Sequence, residues 1–294
     1  MSDRRSLTVA SWNVRAAIGP GEPFPPSWWR RVTRDRLEAI AAFIVGLGAD
    51  VVALQEVALG NVDGAPFDQP AELARLTDMD VAYAALHHYT LVEHDSGRAV
   101  GAVLWGNALL SRLPVVERAA HALPVPADDA LVEPPGTRDP RPGFDGDHPL
   151  SGIRYADAGM GPREARCVLD CTVDAHGTPV RILSTHLAYV GREQRRAQAE
   201  AIVGVAAGSE PVVFAGDLNA AIDDPELEPL RGAFVDAFAA TGTPPASPAR
   251  ESCGRMAIDQ LFVRGLRPLE CRVVRESGDR SDHWPVRAEL ALAG

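Results

Sequence analysis

The sequence predicts an α/β fold. Three observations carry that prediction: short β-rich runs that are apolar almost throughout, helical patterns between them, and polar residues closing the runs. The runs are LTVASWNV (7–14), VVALQEV (51–57), AVGAVLW (99–105), CVLDCTV (167–173), VRILSTHL (180–187), PVVFAGDLN (211–219), AIDQLFV (257–263) and CRVVRES (271–277). Near-continuous apolar character marks strands buried on both faces, because a strand with one wet face alternates.

The helices follow from a different period. Residues 34–50 place apolar side chains at 37, 40, 41, 44, 45 and 47, with Gly48 as a stop. Residues 68–79 carry Pro70 at the first helical position, where the missing N–H costs nothing. Residues 192–208 form the third helix, whose Arg192, Arg195 and Arg196 read as a solvated face. Between the two halves, residues 121–163 hold eight prolines and six glycines, the pattern of a long loop or an excursion over a cleft. A shorter loop, 19–29, ends in Trp28 and Trp29. The halves have similar β/α make-up but no sequence repeat, and a single domain spanning 1–294 is expected.

Composition removes several chemistries. The chain has 294 residues, 46% of them hydrophobic, with a mean hydropathy of −0.07, enough apolar material for a sizeable core. All 29 basic residues are arginine, so Schiff-base, P-loop and kinase-type lysines are excluded. Against them stand 40 acidic residues, a net charge of −11. Neither half hides a basic surplus: residues 1–147 carry 13 arginines and 20 acids, residues 148–294 carry 16 and 20. That balance argues against a strong electrostatic grip on duplex nucleic acid. Cys167, Cys171, Cys253 and Cys271 show no metal-type or redox spacing and are expected as reduced thiols. With no apolar core in MSDRRSLTVASW and no uncharged apolar run of about 18 residues, a cytoplasmic protein without stable membrane insertion is expected. Nothing in the sequence points to an obligate protein partner.

Strand ends are where α/β sheets place chemistry. Here they read Asn13, Gln55-Glu56, His186, Asp217 and Asn219, Asp259, and Ser281-Asp282-His283. The set is rich in carboxylates and amides, has two histidines, and lacks a nucleophilic serine or cysteine motif. Hard oxygen donors favour Mg²⁺ or Mn²⁺, and the fitting chemistry is hydrolysis of a phosphoester by an activated water. His87 and His88 lie outside this pattern and are expected to decorate a strand end.

Seven segments in order, SWNVR (11–15), LQEV (54–57), GNALLSR (106–112), STHLA (184–188), AGDLNA (215–220), IDQLF (258–262) and SDHWPV (281–286), resemble the endonuclease/exonuclease/phosphatase superfamily of DNase I-like metal-dependent phosphohydrolases. The resemblance implies a four-layer α/β sandwich, two packed mixed sheets flanked by helices, with the site at one rim. It implies Glu56 as principal metal ligand beside Asn13, with Asp282 next to the metal. Asp217 would align or deprotonate the attacking water, and Asn219 would hold the water and a phosphate oxygen. His283 would contact the scissile phosphate, oriented by Asp259, while His186 would lie near the leaving-group oxygen. Asn107 matches a phosphate-facing amide more loosely. Gln260 departs from the family's usual aromatic, and the 121–163 segment has no counterpart in the compact core. His186 and the sequence Glu56-Val57-Ala58 place the chain nearer DNase I, sphingomyelinases and phosphatases than abasic-site endonucleases. The expected activity is in-line hydrolysis of a small or headgroup-sized phosphodiester or phosphomonoester. A nuclease and a catalytically silent binding module are the alternatives.

Overall fold

The computed structural model describes residues 6–20, 34–62, 64–93, 99–125, 153–155, 166–189, 191–208 and 210–292. In chain order the elements are β1 (Ser6–Asn13), α1 (Arg34–Gly46), β2 (Val51–Val62), β3 (Ala65–Asp68), α2 (Gln69–Thr77), β4 (Asp80–Glu93), β5 (Ala99–Ser111), β6 (Val115–Ala122) and β7 (Ile153–Tyr155). The second half adds β8 (Cys167–Ala175), β9 (Thr178–His186), α3 (Arg192–Val205), β10 (Val212–Asp217), α4 (Glu228–Ala233) and β11 (Val235–Asp236). It closes with α5 (Ala237–Ala240), β12 (Asp259–Arg264), β13 (Arg267–Val273) and β14 (Val286–Ala291).

Two mixed sheets result. One is eight-stranded, ordered β13-β14-β1-β2-β5-β4-β7 with β3 on β2; the other is six-stranded, ordered β11-β12-β10-β9-β8-β6. Each contains one parallel pair near its centre, β1 with β2 and β9 with β10. A helix lies between the partners of each pair, α1 in the first and α3 in the second, so each half is built around a βαβ unit. The similar make-up of the two halves is therefore architectural, although their sequences do not repeat.

Three apolar layers separate four layers of structure, matching the predicted sandwich. Leu7, Val9, Val51 and Leu109 of the first sheet pack on Ile182, Val213, Ala215 and Leu261 of the second. Behind the first sheet, Trp12, Leu54 and Leu110 meet Ile40 and Ile44 of α1 and Leu73 of α2. Behind the second, Leu183, Phe214 and Phe262 meet Ile202 of α3 and Leu230 of α4. The central strands touch apolar neighbours on both faces, which is why their sequences do not alternate. None of the helices described is long and apolar enough to cross a membrane, and all four cysteines are free and buried.

Several expectations need correcting. The 271–277 run is displaced: β13 ends at Val273, and Arg275–Ser277 forms a 3-10 turn. Strands β3, β4, β6, β7, β11 and β14 are additional to the predicted set. His87 and His88 lie within β4 beside a register shift, not at its end. Pro70 is the second helical residue, after Gln69, with Asp68 as cap accepting from the Ala71 N–H at 2.9 Å. Arg195 is no solvated residue. Its guanidinium is buried, bonds Glu226 at 2.9 Å and reaches the carbonyls of Ala188 and Tyr189, because that face of α3 packs on the 225–227 turn. Of the proline-rich segment, 121–122 close β6 and 153–155 form β7 beside β4, while 126–152 and 156–163 lie outside the described residues. So do Trp28 and Trp29.

One glycine sets the spacing of the site. Gly216 precedes Asp217 on β10 and faces Thr185 of β9. A Cβ built on Gly216 would stand 2.0 Å from the Thr185 carbonyl oxygen, a backbone atom that cannot swing aside. The close approach requires glycine. Gly216→Ala is expected to destabilise the protein by about 2–3 kcal/mol or more, the upper range for overpacking. Urea unfolding would check this. An unchanged midpoint would show that the strands can part without cost.

Candidate active site

Strand alternation delivers the polar residues to one place. On β1, Leu7 and Val9 face the second sheet, so Ser11 and Asn13 do too; on β9 the series is Ile182, Ser184, His186. On β10 it is Val213, Ala215, Asp217, and on β12 it runs Val263, Leu261, Asp259. The seam between the sheets is apolar until its rim, where these strands end. A polar rung marks the transition: Gln55 Nε2 reaches Ser11 Oγ at 3.3 Å and, across the seam, Ser184 Oγ at 3.4 Å.

Glu56 joins the cluster through a β-bulge. Leu54 pairs with Ala108 and Val57 with Gly106, so Gln55 and Glu56 together oppose Asn107. Strict alternation would send Glu56 to the outer face with Leu54. Instead its backbone takes a left-handed φ of 56°, unusual for a residue with a Cβ, and the carboxylate turns inward. There Asn13 Nδ2 donates to Glu56 Oε1 at 2.9 Å and to Asp217 Oδ2 at 3.1 Å. Asn13 Oδ1 accepts from the Arg15 N–H at 2.9 Å. The amide thus presents its nitrogen to the carboxylates, and a ligating role for its oxygen would require the amide to turn.

Asp217 is the hub. Its Oδ2 lies 3.4 Å from His186 Nε2 and 3.7 Å from His283 Nε2, and its Oδ1 accepts from the Asn219 N–H at 2.9 Å. Asn219, also left-handed at φ 50°, brings Nδ2 to 3.0 Å from His186 Nε2 and donates to the Leu187 carbonyl at 3.0 Å. His186 Nδ1 faces Glu56 Oε1 at 3.9 Å. His283 Nδ1 is 2.8 Å from Asp259 Oδ2, and both side chains are buried. The loop carrying His283 is pinned to the end of β1: Ser281 Oγ donates to the Asn13 carbonyl at 2.7 Å, and Trp12 Nε1 donates to the His283 carbonyl at 2.9 Å.

The electrostatics follow from burial among acids. Burial pushes the Glu56 carboxyl up to about 7, with Asp282 and Asp217 adding to the rise and the Asn13 bond and His283 opposing it. For His283, burial alone would disfavour the cation. The charges of Asp259 and Asp217 and the Asp259 hydrogen bond prevail, holding the imidazole well above its ordinary 6.5. Burial raises the Asp259 carboxyl as well, so a proton is held along the His283–Asp259 hydrogen bond. A buried carboxyl raised by its acidic neighbours is what a divalent cation relieves, and the hard oxygens of Glu56 and Asp282 fit Mg²⁺ or Mn²⁺. One oxygen or nitrogen from each of Asp217, Asp259 and His283 falls within a 4.8 Å group, as does one donor from each of Cys253, Asp282 and His283.

The cluster therefore gathers Asn13, Glu56, His186, Asp217, Asn219, Asp259 and His283. Asp282 stands beside it, its Oδ2 3.4 Å from Arg15 Nε. Asn107 is buried in the seam, with Nδ2 3.4 Å from the Cys167 carbonyl, and its Oδ1 has no partner among the described residues. Gln260 accepts from the buried Arg250 guanidinium at 3.0 Å and donates to the Ala257 carbonyl at 2.6 Å, so it is committed to an arginine. Sequence reasoning gave no role to Arg15, although SWNVR contains it, and read Ser281 only as part of a polar strand end and Cys253 only as a reduced thiol.

Comparison with known proteins bears on the family and the fold. The family model described as Endonuclease/Exonuclease/phosphatase matches residues 10–283. An endonuclease/exonuclease/phosphatase from Beutenbergia cavernae is similar over 99% of this chain and 72% of its own, at 26% identity and a TM-score of 0.66. A protein of the same description from Bacteroides vulgatus aligns over 98% of this chain and 99% of its own, at 19% identity and a TM-score of 0.59. TDP2 from Caenorhabditis elegans covers 99% of this chain with 76% of its own, at 18% identity and a TM-score of 0.57. A search of curated proteins finds no match. With two mixed sheets meeting at a rim of carboxylates and histidines, and a family model spanning both, the chain belongs to the endonuclease/exonuclease/phosphatase family.

Proposed function

We propose that the protein is a divalent-metal-dependent hydrolase of a small or headgroup-sized phosphoester, adding water in line without a covalent enzyme intermediate. The observation that carries this reading is the placement of the Asp217 carboxylate among Asn13, His186, Asn219 and His283. Asp217 Oδ2 is the base that takes the proton as the water oxygen attacks phosphorus. Asn219, fixed by Leu187 and His186, holds that water and a phosphate oxygen. The His283 imidazolium donates to a non-bridging oxygen as charge builds there, a role for which Asp259 keeps it charged and aimed. His186 faces the oxygen of the departing group as its bond to phosphorus breaks. Glu56 and Asp282 would hold Mg²⁺ or Mn²⁺, which when bound neutralises phosphate charge and polarises the ester. Asn13 fixes the Glu56 carboxylate for that purpose.

The preference for a small substrate rests on charge. A nuclease gains affinity from cations lining its groove, and many arginines here are already committed. Arg15 faces Asp282, Arg195 pairs with Glu226, Arg181 with Asp170, and Arg250 with Asp236. With a net charge of −11, long-range attraction to duplex phosphates is weak. With Mg²⁺ or Mn²⁺, kcat/KM for small phosphodiesters and phosphomonoesters is expected to exceed that for linear or supercoiled DNA at low salt. DNA cleavage that is far more efficient and falls steeply with salt would replace this reading with a nuclease. No turnover of any phosphoester with either metal would leave the silent binding module.

A further inference from the structure

Cys253 takes no step in the reaction above, yet its side chain hydrogen-bonds His283 and helps hold the imidazole charged. The other three cysteines lie in the apolar seam between the sheets, where burial pushes the Cys167 and Cys171 thiols up to about 12 and raises Cys271 as well. Cys253 sits elsewhere, on a turn whose backbone bridges to His283. Its Sγ, a carboxylate oxygen of Asp282 and an imidazole nitrogen of His283 all lie within 4.8 Å of one another. In tetrahedral zinc sites neighbouring donors stand about 3.3–3.8 Å apart, given Zn–S near 2.3 Å and Zn–N or Zn–O near 2.0–2.1 Å. Side-chain rotation of about 1–1.5 Å closes that gap.

Two further features point to a cation. His283 Nδ1 is held by Asp259 at 2.8 Å, the carboxylate–histidine arrangement that fixes a ligating imidazole. The donors also mix sulfur, nitrogen and oxygen, which suits a thiophilic ion and not Mg²⁺. The turn is already tied by backbone bonds, Ser252 N to Met256 O at 2.8 Å, Met256 N to Cys253 O at 2.9 Å and Trp284 N to Ser252 O at 2.7 Å, so it needs no metal to form. Three protein donors with Asp282 partly exposed leave a coordination position open, unlike a closed structural site.

We infer that Cys253, Asp282 and His283 form an inhibitory site for a thiophilic divalent cation, of which Zn²⁺ is the type. This rests on the hydrolase reading above and adds its regulation. Mg²⁺ is drawn to the oxygens of Glu56 and Asp282, and Zn²⁺ to the sulfur-bearing corner. Because the two donor sets share Asp282, and Zn²⁺ also takes His283 from the phosphate, zinc stops turnover while Mg²⁺ supports it. On binding, the Cys253 thiol and the imidazolium each release a proton to solvent.

The test joins a spectroscopic readout to a kinetic one. Co²⁺ titrated into the metal-free protein should give a thiolate-to-cobalt charge-transfer band in the wild type and none in Cys253→Ala or Cys253→Ser. Cys253→Ser preserves shape should the alanine variant fold poorly. With saturating Mg²⁺, the Zn²⁺ concentration that halves each protein's own rate should rise at least about tenfold in both variants, a loss of about 1.4 kcal/mol of binding. The inference is overturned if the wild type shows no thiolate band, if zinc inhibits wild type and variants alike, or if zinc raises turnover through Cys253. A thiolate band in a protein that hydrolyses no phosphoester upholds the cation site and overturns the hydrolase reading instead.

Discussion

Glu56→Gln is expected to abolish most activity while making the metal-free protein more stable. The side chain is 17% exposed and its carboxyl is pushed from an ordinary 4.5 to about 7, first by burial and then by Asp282 and Asp217. Each unit of such a shift corresponds to about 1.4 kcal/mol, so the ionised carboxylate costs the metal-free fold on the order of 3 kcal/mol above neutral pH. The sign follows from proton linkage. Between pH 4.5 and about 7 the native state holds a proton that the unfolded chain has lost, so stability falls as pH rises through that window. Glutamine carries no such charge, keeps the shape, and can still accept from Asn13. In chelator the variant should melt above wild type at pH 8, by on the order of 1–3 kcal/mol, and the difference should close below pH 4.5. Added Mg²⁺ or Mn²⁺ should stabilise wild type and leave the variant unmoved, while turnover falls on the order of 10²–10³-fold. A variant that melts below wild type in chelator and still gains from Mg²⁺ would remove Glu56 from the metal site.

The polar cluster was legible because its side chains close apolar runs. Asn13, His186 and Asp217 each end a strand whose preceding residues are buried, and a polar group there has to face either solvent or a ligand. What the sequence could not show was which layer each strand faces. Phe214 and Ala215 are adjacent, equally buried, and belong to different apolar layers, so hydrophobicity carries no phase. The weaker strands were lost for the opposite reason. β6, VVERAAHA, is exposed along most of its length, and β14, VRAELA, alternates in a run as compatible with a helix as with a strand. The bulge at Glu56 was also invisible, since a left-handed glutamate follows from three-dimensional register and not from any glycine in LQEV. Arg195 looked solvated because its partner, Glu226, lies 31 residues away.

His283 and Asp259 are expected to behave as one unit. Asp259 reaches the reaction only through the imidazole it holds at 2.8 Å, and its Oδ1 has no partner among the described residues. His283→Ala should lower kcat on the order of 10²–10³-fold, the range for one positioned donor to a developing oxyanion. Asp259→Ala should approach that loss, because the imidazole then keeps neither its aim nor the charge that holds its proton. The double variant should be little worse than His283→Ala, since removing the orienter of an absent group changes nothing further. The pH profile separates this from a merely structural role. Burial works against the imidazolium, and Asp259 and Asp217 maintain it, so Asp259→Asn should lower the His283 pKa and shift the alkaline limb of kcat/KM to lower pH. Losses that multiply in the double variant, with an alkaline limb that does not move, would show that the two residues act separately and that His283 is held charged without Asp259.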